Sequence, residues 1–300
     1  MYVITGATGH TSHTAATRLL ERGKKVRVLG RSTDRLNKLA SLGAEPFAAD
    51  LTDKQALATA FAGAEAGYVM IPPDPTSADP RGYQDRVTDA VAAALEQNRV
   101  KHVVALSSIG ADKKDKTGPI VGLRVLEDRL KGIAGLNTLA IRAGYFMENT
   151  LPQAAVIQQM GVTGGPLNPD LKLPMIATRD IGAFAADALL NRDFSGFQTR
   201  ELLGERDIDM NEVTTILGRA IGKPDLQYHQ LTYEQFQGAL TQMGMSSQVA
   251  ALLVEMSQAL NSGHVRALEP RSMRNTTPTA YEQFAADTFA PAYEGQRAAA

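Results

Sequence analysis

The first 145 residues alternate short apolar runs with longer amphipathic stretches, an order that few folds can accommodate. Short apolar runs bounded by glycine, proline or charge predict buried strands, and amphipathic stretches predict helices. The six predicted strands are Tyr2–Thr5, Val26–Leu29, Glu45–Ala48, Gly67–Ile71, His102–Leu106 and Asn137–Ile141. The five helices predicted between them are Thr11–Arg22, Arg35–Leu42, Lys54–Phe61, Gln84–Gln97 and Gly122–Lys131. This alternation indicates βαβ units, so we predict an α/β fold with a doubly wound parallel sheet in the strand order 3-2-1-4-5-6.

The regular alternation ends after Tyr145, and the pattern becomes mainly helical from Arg179. The segment Asn149–Pro174 is rich in Pro, Gly, Asn and Gln, which predicts long loops around a cleft. The predicted helices beyond it are Asp180–Leu190, Asn211–Ile221, Tyr233–Gly244, Gln248–Ser257 and Ala280–Phe289, and the predicted strands are Arg200–Leu203 and Asp225–Gln230. We therefore expect a sheet domain over residues 1–150 and a smaller, mainly helical C-terminal region over residues 151–300, some segments of which can return to the sheet.

A glycine-rich sequence, TGATGHTS at residues 5–12, lies directly between the first predicted strand and the first predicted helix. Gly6 permits a tight turn, and Gly9 lets backbone N–H groups approach a pyrophosphate at the helix N-terminus. The third glycine of the usual dinucleotide fingerprint is replaced by Ser12, which is small enough for close packing of helix and strand. The strand–turn–helix context predicts a dinucleotide site, and the alternative is a tight turn that binds no ligand.

Two arginines follow the second predicted strand, where the ribose of a dinucleotide would bind. A site that prefers NAD(H) carries Asp or Glu at this point, which accepts hydrogen bonds from the ribose hydroxyls. Here Arg31 and Arg35 lie four residues apart, and no carboxylate follows the strand before Asp34. Two guanidinium groups suit the 2′-phosphate of NADP(H), so we predict NADP(H) rather than NAD(H). In the alternative interpretation, Arg35 and Lys38 belong to a solvated helix face.

Further candidates follow the third, fourth and fifth predicted strands. Asp50 and Leu51 follow the third, where a carboxylate commonly meets the adenine amino group. Alternatively, Asp50 caps a helix over Thr52–Phe61. The pairs Ile71–Pro72 and Ser107–Ser108 end the next two strands, at the edge where ligands bind in open α/β sheets.

Composition argues against several other functions. With 31 Lys+Arg against 32 Asp+Glu the net charge is −1, whereas nucleic-acid binding needs a concentrated basic surface. The chain has no cysteine, and its five histidines show no metal-binding spacing, so we expect no metal site. The first residues lack a signal-peptide pattern, and the long uncharged runs carry too many Pro, Gln and Gly residues for a membrane span. We therefore expect a cytoplasmic protein that binds neither nucleic acid nor membrane.

A set of individually modest motifs recurs in a specific order over roughly residues 1–290. They are TGATGHTS, the arginine after the second strand, Asp50-Leu51, Ser107-Ser108, IRAGYFMEN at residues 141–149, PMIATRDIGAFAADAL at residues 174–189 and TPTAYEQFAADTF at residues 277–289. Together they resemble the NmrA-like family of atypical short-chain dehydrogenases. This resemblance implies a Rossmann domain that binds NADP(H) or NAD(H). Members of the family are NADPH-dependent quinone reductases, or redox-sensing regulators that bind the dinucleotide without turning it over.

The resemblance also assigns residues to the cofactor. Its contacts would be Gly6, Thr8, Gly9, His10, Thr11, Arg31, Arg35, Asp50 and Leu51, with the nicotinamide end near Ile71, Pro72, Ser107, Tyr145 and Phe146. For His10 the alternative is an ordinary residue at a helix N-terminus, and for Tyr145–Phe146 it is core packing. Tyr145 is a weak candidate for a catalytic residue, and the sequence indicates no other.

The proton-relay pair of ordinary short-chain dehydrogenases is absent from the sequence. Those enzymes use Tyr-x-x-x-Lys, and none of the eight tyrosines here has Lys four residues later. If Glu127 is aligned with the glutamate that follows the catalytic lysine in extended relatives, Leu123 takes the lysine position and Pro119 the tyrosine position. Alcohol–ketone chemistry is therefore not expected.

Two functions remain open on the sequence. The first is an NADPH-dependent reductase of a small planar electrophile such as a quinone, and the second is a dinucleotide-binding sensor that acts through a protein partner. Met243, Met245 and Met256 could line an adaptable substrate pocket, but core filling is the preferred interpretation.

Overall fold

The chain forms twelve strands and twelve α-helices over residues 1–299, the part that this computed structural model describes, with side chains to residue 295. The strands are β1 (Tyr2–Ile4), β2 (Val26–Gly30), β3 (Glu45–Ala48), β4 (Ala66–Val69), β5 (His102–Ser108), β6 (Asn137–Ala143), β7 (Tyr145–Phe146), β8 (Thr163–Gly165), β9 (Leu173–Ile176), β10 (Phe197–Leu202), β11 (Asp207–Ile208) and β12 (Tyr228–Gln230). The helices are α1 (His10–Glu21), α2 (Asn37–Ser41), α3 (Lys54–Ala60), α4 (Pro80–Gln97), α5 (Ile120–Lys131), α6 (Gln153–Met160), α7 (Thr178–Asn191), α8 (Met210–Ala220), α9 (Tyr233–Gln242), α10 (Ser247–Asn261), α11 (Tyr281–Phe284) and α12 (Ala290–Ala299).

Seven parallel strands form the central sheet, in the order β3-β2-β1-β4-β5-β6-β10. Adjacent side chains of each strand point to opposite faces. On one face, Ile4 and Val28 pack with α1 and α7. On the other, Val3 and Leu29 pack with α3, α4 and α5. The predicted doubly wound Rossmann sheet and the order 3-2-1-4-5-6 are confirmed. The prediction that Glu45–Ala48 is buried is wrong, because β3 is the edge strand and is mostly exposed.

The seventh strand comes from the second half of the chain. β10 pairs with β6 along its whole length, from Phe197 opposite Thr138 to Leu202 opposite Ala143. α7 packs beside α1 with its backbone very close, since a Cβ on Gly182 would lie 2.4 Å from Thr11 O. Residues beyond 150 therefore complete both the sheet and its helical cover.

Several boundaries differ from the predicted ones, for local reasons. α4 begins four residues earlier than predicted, because Asp79 caps it by accepting from the Gly82 N–H at 3.0 Å and Pro80 suits the first helical position. The helix predicted over Arg35–Leu42 is a 3-10 turn over Asp34–Leu36 followed by α2. The segment predicted as long loops, Asn149–Pro174, contains α6 and β8.

The remaining elements form a smaller C-terminal layer with its own apolar core. Two small sheets lie there, β11-β9-β7 and β12-β8. The closing helix predicted over Ala280–Phe289 is α11 followed by a π turn over Ala285–Phe289. It is tied to α7, because the Thr279 N–H and hydroxyl donate to Asp180 at 3.0 and 2.8 Å. Within residues 1–299, no helix combines the length and apolarity needed to cross a bilayer.

Candidate functional site

A tight glycine turn connects the carboxyl end of β1 to the start of α1. Gly6 has a φ of +61°, in the left-handed region that favours glycine, and a Cβ there would lie 2.7 Å from Met70 Sδ. A Cβ on Gly9 would lie 3.3 Å from Gly6 O, which is closer than most Cβ atoms approach a neighbouring atom. Ser12 is fully buried beneath the turn. The two glycines therefore leave the backbone of the turn uncovered at their positions, as the close approach of a pyrophosphate requires.

The N-terminus of α1 at this turn has no side-chain cap from residues 1–295. Asp53 and Asp79 cap the neighbouring helices α3 and α4. An uncapped N-terminus leaves N–H groups free and carries the positive end of the helix dipole, so it suits a phosphate. These observations fit a bound dinucleotide.

The predicted contacts around this terminus differ in what they can offer. Thr8 is exposed, and His10, the first residue of α1, is exposed as well. Thr11 is buried, and its Oγ1 accepts a hydrogen bond of 3.1 Å from the Tyr68 hydroxyl. Only the main chain of Thr11 is therefore available to a ligand.

Arg31 and Arg35 both lie after β2 with exposed side chains. Neither forms an ion pair or a side-chain hydrogen bond with any residue from 1 to 295, so both guanidinium groups are free to bind an anion. Arg31 lies in the loop, and Arg35 lies in the following 3-10 turn directly before α2. A 2′-phosphate would therefore meet two cations that form no ion pair with a carboxylate of residues 1–295.

Asp50 and Leu51 follow β3. The pKa of Asp50 lies below its usual range because the hydroxyl and N–H of Thr52 donate to its carboxylate, with a smaller effect from the Arg31 charge. The alternative in which Asp50 caps the next helix is wrong, since Asp53 accepts from the first N–H groups of α3. Leu51 is buried in the core and offers a ligand only its backbone.

A cavity of about 410 Å³ opens at the same edge of the sheet. It is lined by the β4–α4 connection, the first turn of α4, the carboxyl ends of β5 and β6, the start of α5, β7 and the inner face of α10. Its polar side chains are Asp74, Tyr83, Gln84, Ser107, Ser108, Tyr145 and Asn149, and the others are apolar. The residues predicted for the nicotinamide end, Ile71, Pro72, Ser107, Tyr145 and Phe146, all line it.

The outer wall of the cavity is α10, which the sequence associated with the site only through the less favoured interpretation of Met256. Its start is fixed to the β4–α4 connection, because the Ser246 hydroxyl donates to Ser77 O at 2.6 Å and its N–H to Pro75 O at 2.9 Å. Of the segment Asn149–Pro174, only Asn149 lines the cavity, since α6 packs into the C-terminal core. The expectation that this segment surrounds the cleft is therefore wrong.

The methionines divide between cavity and solvent. Met245 and Met256 line the cavity, and Met256 also packs against the C-terminal core, so the preferred interpretation as core filling is correct in part for Met256. Met243 is 62% exposed and contributes to neither cavity nor core. An amphipathic pattern shows that a helix has a buried face but not what that face covers.

Beneath the cavity lies a buried polar row formed by Ser107, Glu127, Arg142 and Glu201. Ser107, Arg142 and Glu201 are register neighbours on β5, β6 and β10. The Ser107 hydroxyl donates to Glu127 Oε1 at 2.6 Å, and Arg142 holds both Glu127 oxygens at 3.0 and 2.6 Å. Glu201 accepts from the N–H groups of Leu268–Glu269.

The row determines what Ser107 can do in the cavity. A serine hydroxyl can donate one hydrogen bond, and Glu127 accepts it. The Glu127 hydrogen bond and burial act in opposite directions on Arg142, and the hydrogen bond prevails and raises the pKa of its guanidinium. Ser107 therefore presents an acceptor oxygen to the cavity and no proton for a substrate.

Tyr145 lies in β7 opposite Met175 and lines the cavity. Burial raises its pKa to about 12, against the smaller opposing effect of the Asn149 side chain. Its hydroxyl therefore stays protonated at neutral pH. Pro119 and Leu123 also line the cavity, and both are apolar.

Comparison with known proteins gives the family. The NmrA-like family model matches residues 2–285. The chain belongs to the NmrA-like family. No curated protein sequence matches this NmrA-like protein.

Solved structures with the same fold include reductases and an epimerase. An NADPH-dependent quinone oxidoreductase from Escherichia coli, complexed with NADPH, aligns with a TM-score of 0.78 at 23% identity over 99% of this chain and 100% of that chain. Citrobacter sp. triphenylmethane reductase, complexed with NADP(H), gives 0.75 at 16% identity over 94% and 98%. A nucleoside-diphosphate-sugar epimerase from Staphylococcus aureus gives 0.75 at 18% over 95% and 99%. At such identities the similarity establishes the fold.

In the portion of the chain that the structure describes, no three His, Cys, Asp or Glu side chains are placed to hold a metal ion. The polar groups of the candidate site are those of the glycine turn, the arginines and the cavity.

Proposed function

We propose that this NmrA-like protein is an NADPH-dependent reductase of quinones or similarly small planar electrophiles. The observation that carries the proposal is the cavity of about 410 Å³, which joins the predicted nicotinamide end to an apolar chamber under α10. An apolar cavity of this size with a few polar groups is typical of a small-molecule site. The E. coli and Citrobacter structures, a quinone oxidoreductase and a dye reductase, support the same class of reaction.

The residues at the sheet edge fit NADP(H). The pyrophosphate would lie on the backbone of Gly6 and Gly9 and at the uncapped N-terminus of α1. Arg31 and Arg35 would bind the 2′-phosphate. When bound, NADPH supplies the hydride.

The chain itself then contributes positioning rather than acid catalysis. A quinone is electron-poor and its reduced form is a stabilised aromatic anion, so no strong acid is needed beside the oxygen. Pro119 and Leu123 offer no proton, and the Ser107 hydroxyl is engaged as the donor of a hydrogen bond to Glu127. The apolar walls from β7 and α10 hold the acceptor and exclude water, which is the contribution that the proposed reaction requires.

A quinone panel tests the function directly. We expect NADPH oxidation with 1,4-naphthoquinones and benzoquinones, followed at the absorbance of the reduced cofactor. NADPH binding by calorimetry without oxidation of any quinone would contradict the proposal. That result would instead favour a dinucleotide sensor with a protein partner.

The turnover number should be nearly independent of pH between about 6 and 8, the range in which a catalytic histidine would titrate. None of the five histidines, all within residues 1–295, lines the cavity. The pKa of Tyr145 is raised to about 12, so its phenol does not ionise in this range. The measurement is steady-state NADPH oxidation at saturating NADPH and quinone. A bell-shaped or sigmoidal profile within that range would show that a titrating side chain takes part.

Tyr145→Phe should retain most of the turnover number, because the proposed mechanism uses the ring for packing and not the hydroxyl for proton transfer. Tyr228→Phe is the matched control, since that hydroxyl donates to Leu167 O at 2.9 Å and does not line the cavity. Steady-state kinetics and calorimetric NADPH affinity are measured for both variants. Loss of turnover in Tyr145→Phe alone, with unchanged NADPH affinity, would identify Tyr145 as the proton donor.

A further inference from the structure

The cavity carries a single formal charge among its lining residues, and that charge is negative. Asp74 is the carboxylate, and no Lys, Arg or His side chain of the described residues lines the cavity. We propose that Asp74 determines the charge specificity of this site, so that it accepts neutral and cationic ring compounds and rejects anionic ones. The substrate class rests on the proposed reductase function, whereas the charge selection is a property of the cavity alone.

One carboxylate oxygen of Asp74 is held by hydrogen bonds, and the other is available to a ligand. The N–H and hydroxyl of Thr76 donate to Asp74 Oδ1 at 3.2 and 3.0 Å, which fixes the carboxylate in a local turn. No side chain or backbone group of residues 1–295 donates to Oδ2. An ammonium or iminium group on a ligand would therefore find an acceptor, and a sulfonate or carboxylate would be repelled.

The charge of Asp74 reaches into the cavity. Tyr83, on the first turns of α4, lines the cavity as well, and burial raises its pKa to about 12. That value includes smaller upward effects of the Asp50 and Asp74 carboxylates on the pKa and a downward effect of Arg31. Ligand atoms beside Tyr83 would lie within the same field.

Two cations near the cavity, Arg31 and Arg81, do not line it, although the charge of Arg31 reaches Tyr83. Arg81 is the second residue of α4, and its Nη2 donates to Gly118 O at 2.7 Å. The remaining walls are mostly apolar, so an anion would lose its hydration without gaining a partner. A neutral quinone loses little hydration free energy on entering the cavity, and a cation gains an electrostatic interaction with Asp74.

Binding of two redox-inert probes tests the charge selection without turnover. The full-length protein loaded with NADPH is titrated calorimetrically with 2-naphthalenesulfonate and with 2-naphthyltrimethylammonium. The wild type should bind the cation more tightly. Asp74→Asn keeps the turn, because its amide oxygen still accepts from Thr76, and should reduce the cation-to-anion affinity ratio by about fivefold, as for a partly exposed ion pair.

The matched control is Asp85→Asn, which removes the same charge from an exposed residue of α4 that does not line the cavity. Its affinity ratio should equal that of the wild type. Equal affinities of the wild type for the two probes, or equal shifts in Asp74→Asn and Asp85→Asn, would overturn the proposal. The negative charge of the bound NADPH affects probe binding equally in all three proteins, so it cancels when their affinity ratios are compared.

Turnover of three naphthoquinones separates this proposal from the function on which it builds. The compounds carry methyl, sulfonate or trimethylammonium at the same ring position, and each kcat/KM is expressed relative to the methyl compound. Comparing variants cancels the different reactivities of the quinones. Turnover with the same ratios in wild type and Asp74→Asn would reject the charge selection and keep the reductase. Charge-selective probe binding without turnover of any quinone would keep the charge selection and reject the reductase function.

Discussion

Replacing Arg31 and Arg35 together by alanine should weaken NADPH binding by about 3 kcal/mol or more, since each charge-assisted hydrogen bond contributes roughly 1.5–3 kcal/mol. In affinity this is at least about a hundredfold loss. Both guanidinium groups are exposed and unpaired within residues 1–295, so the substitutions break no ion pair there. NADH lacks the 2′-phosphate, and its affinity should barely change. Calorimetric titration with the two dinucleotides measures both affinities.

Lys38→Ala is the matched control for this prediction. Lys38 is an exposed cation on α2, three residues beyond Arg35, and it represents the solvated helix face of the alternative interpretation. Its replacement should leave both affinities nearly unchanged. Equal losses for NADPH and NADH in the double arginine variant would show that the arginines do not read the 2′-phosphate.

The buried ion pair between Glu127 and Arg142 should make a large contribution to the stability of the fold. Glu127→Ala should lower the free energy of unfolding by about 3–5 kcal/mol, because it leaves the Arg142 guanidinium buried without its bidentate partner. The side chains of Glu127 and Arg142 are only 5% and 15% exposed. For a chain of this size the melting temperature should fall by about 10 °C, which differential scanning calorimetry measures.

Asp187→Ala provides the matched control, since Arg18 also binds Asp187 through two hydrogen bonds, at 3.0 and 2.8 Å. That pair is 38% and 42% exposed, so its loss should cost no more than about 1 kcal/mol. The double variant Glu127→Leu with Arg142→Met removes both charges together and should be less destabilised than Glu127→Ala. Similar losses in Glu127→Ala and Asp187→Ala would contradict the role given to burial.

Much of the central sheet could be predicted from the sequence. The alternation of apolar and amphipathic runs depends on side-chain period, which is local, and the handedness of βαβ units then limits the strand order. The glycine turn at Gly6 and Gly9 is likewise local, since conformation and close approach depend on the missing Cβ itself. The predicted nicotinamide-end residues Ile71, Ser107 and Tyr145 line one cavity because the carboxyl ends of parallel strands share an edge.

The boundaries and caps were less predictable, because neighbouring polar residues compete for the same backbone groups. Asp50 and Asp53 both precede α3, and only the structure shows that Asp53 accepts from its first N–H groups while Asp50 bonds Thr52. Both arrangements are common for an aspartate in a turn. Sequence spacing alone does not separate them.

The sequence by itself therefore determined the doubly wound sheet, the glycine turn and the placement of two arginines after β2, since each follows from residues close together in the chain. The tertiary structure decided the rest of the site. α10 covers the cavity through a contact between Ser246 and Ser77, which are 169 residues apart. The buried polar row joins Ser107 and Arg142 through Glu127, 20 and 15 residues away. An amphipathic helix or a lone buried glutamate carries no mark of its partner, because packing energy depends on burial and not on sequence separation.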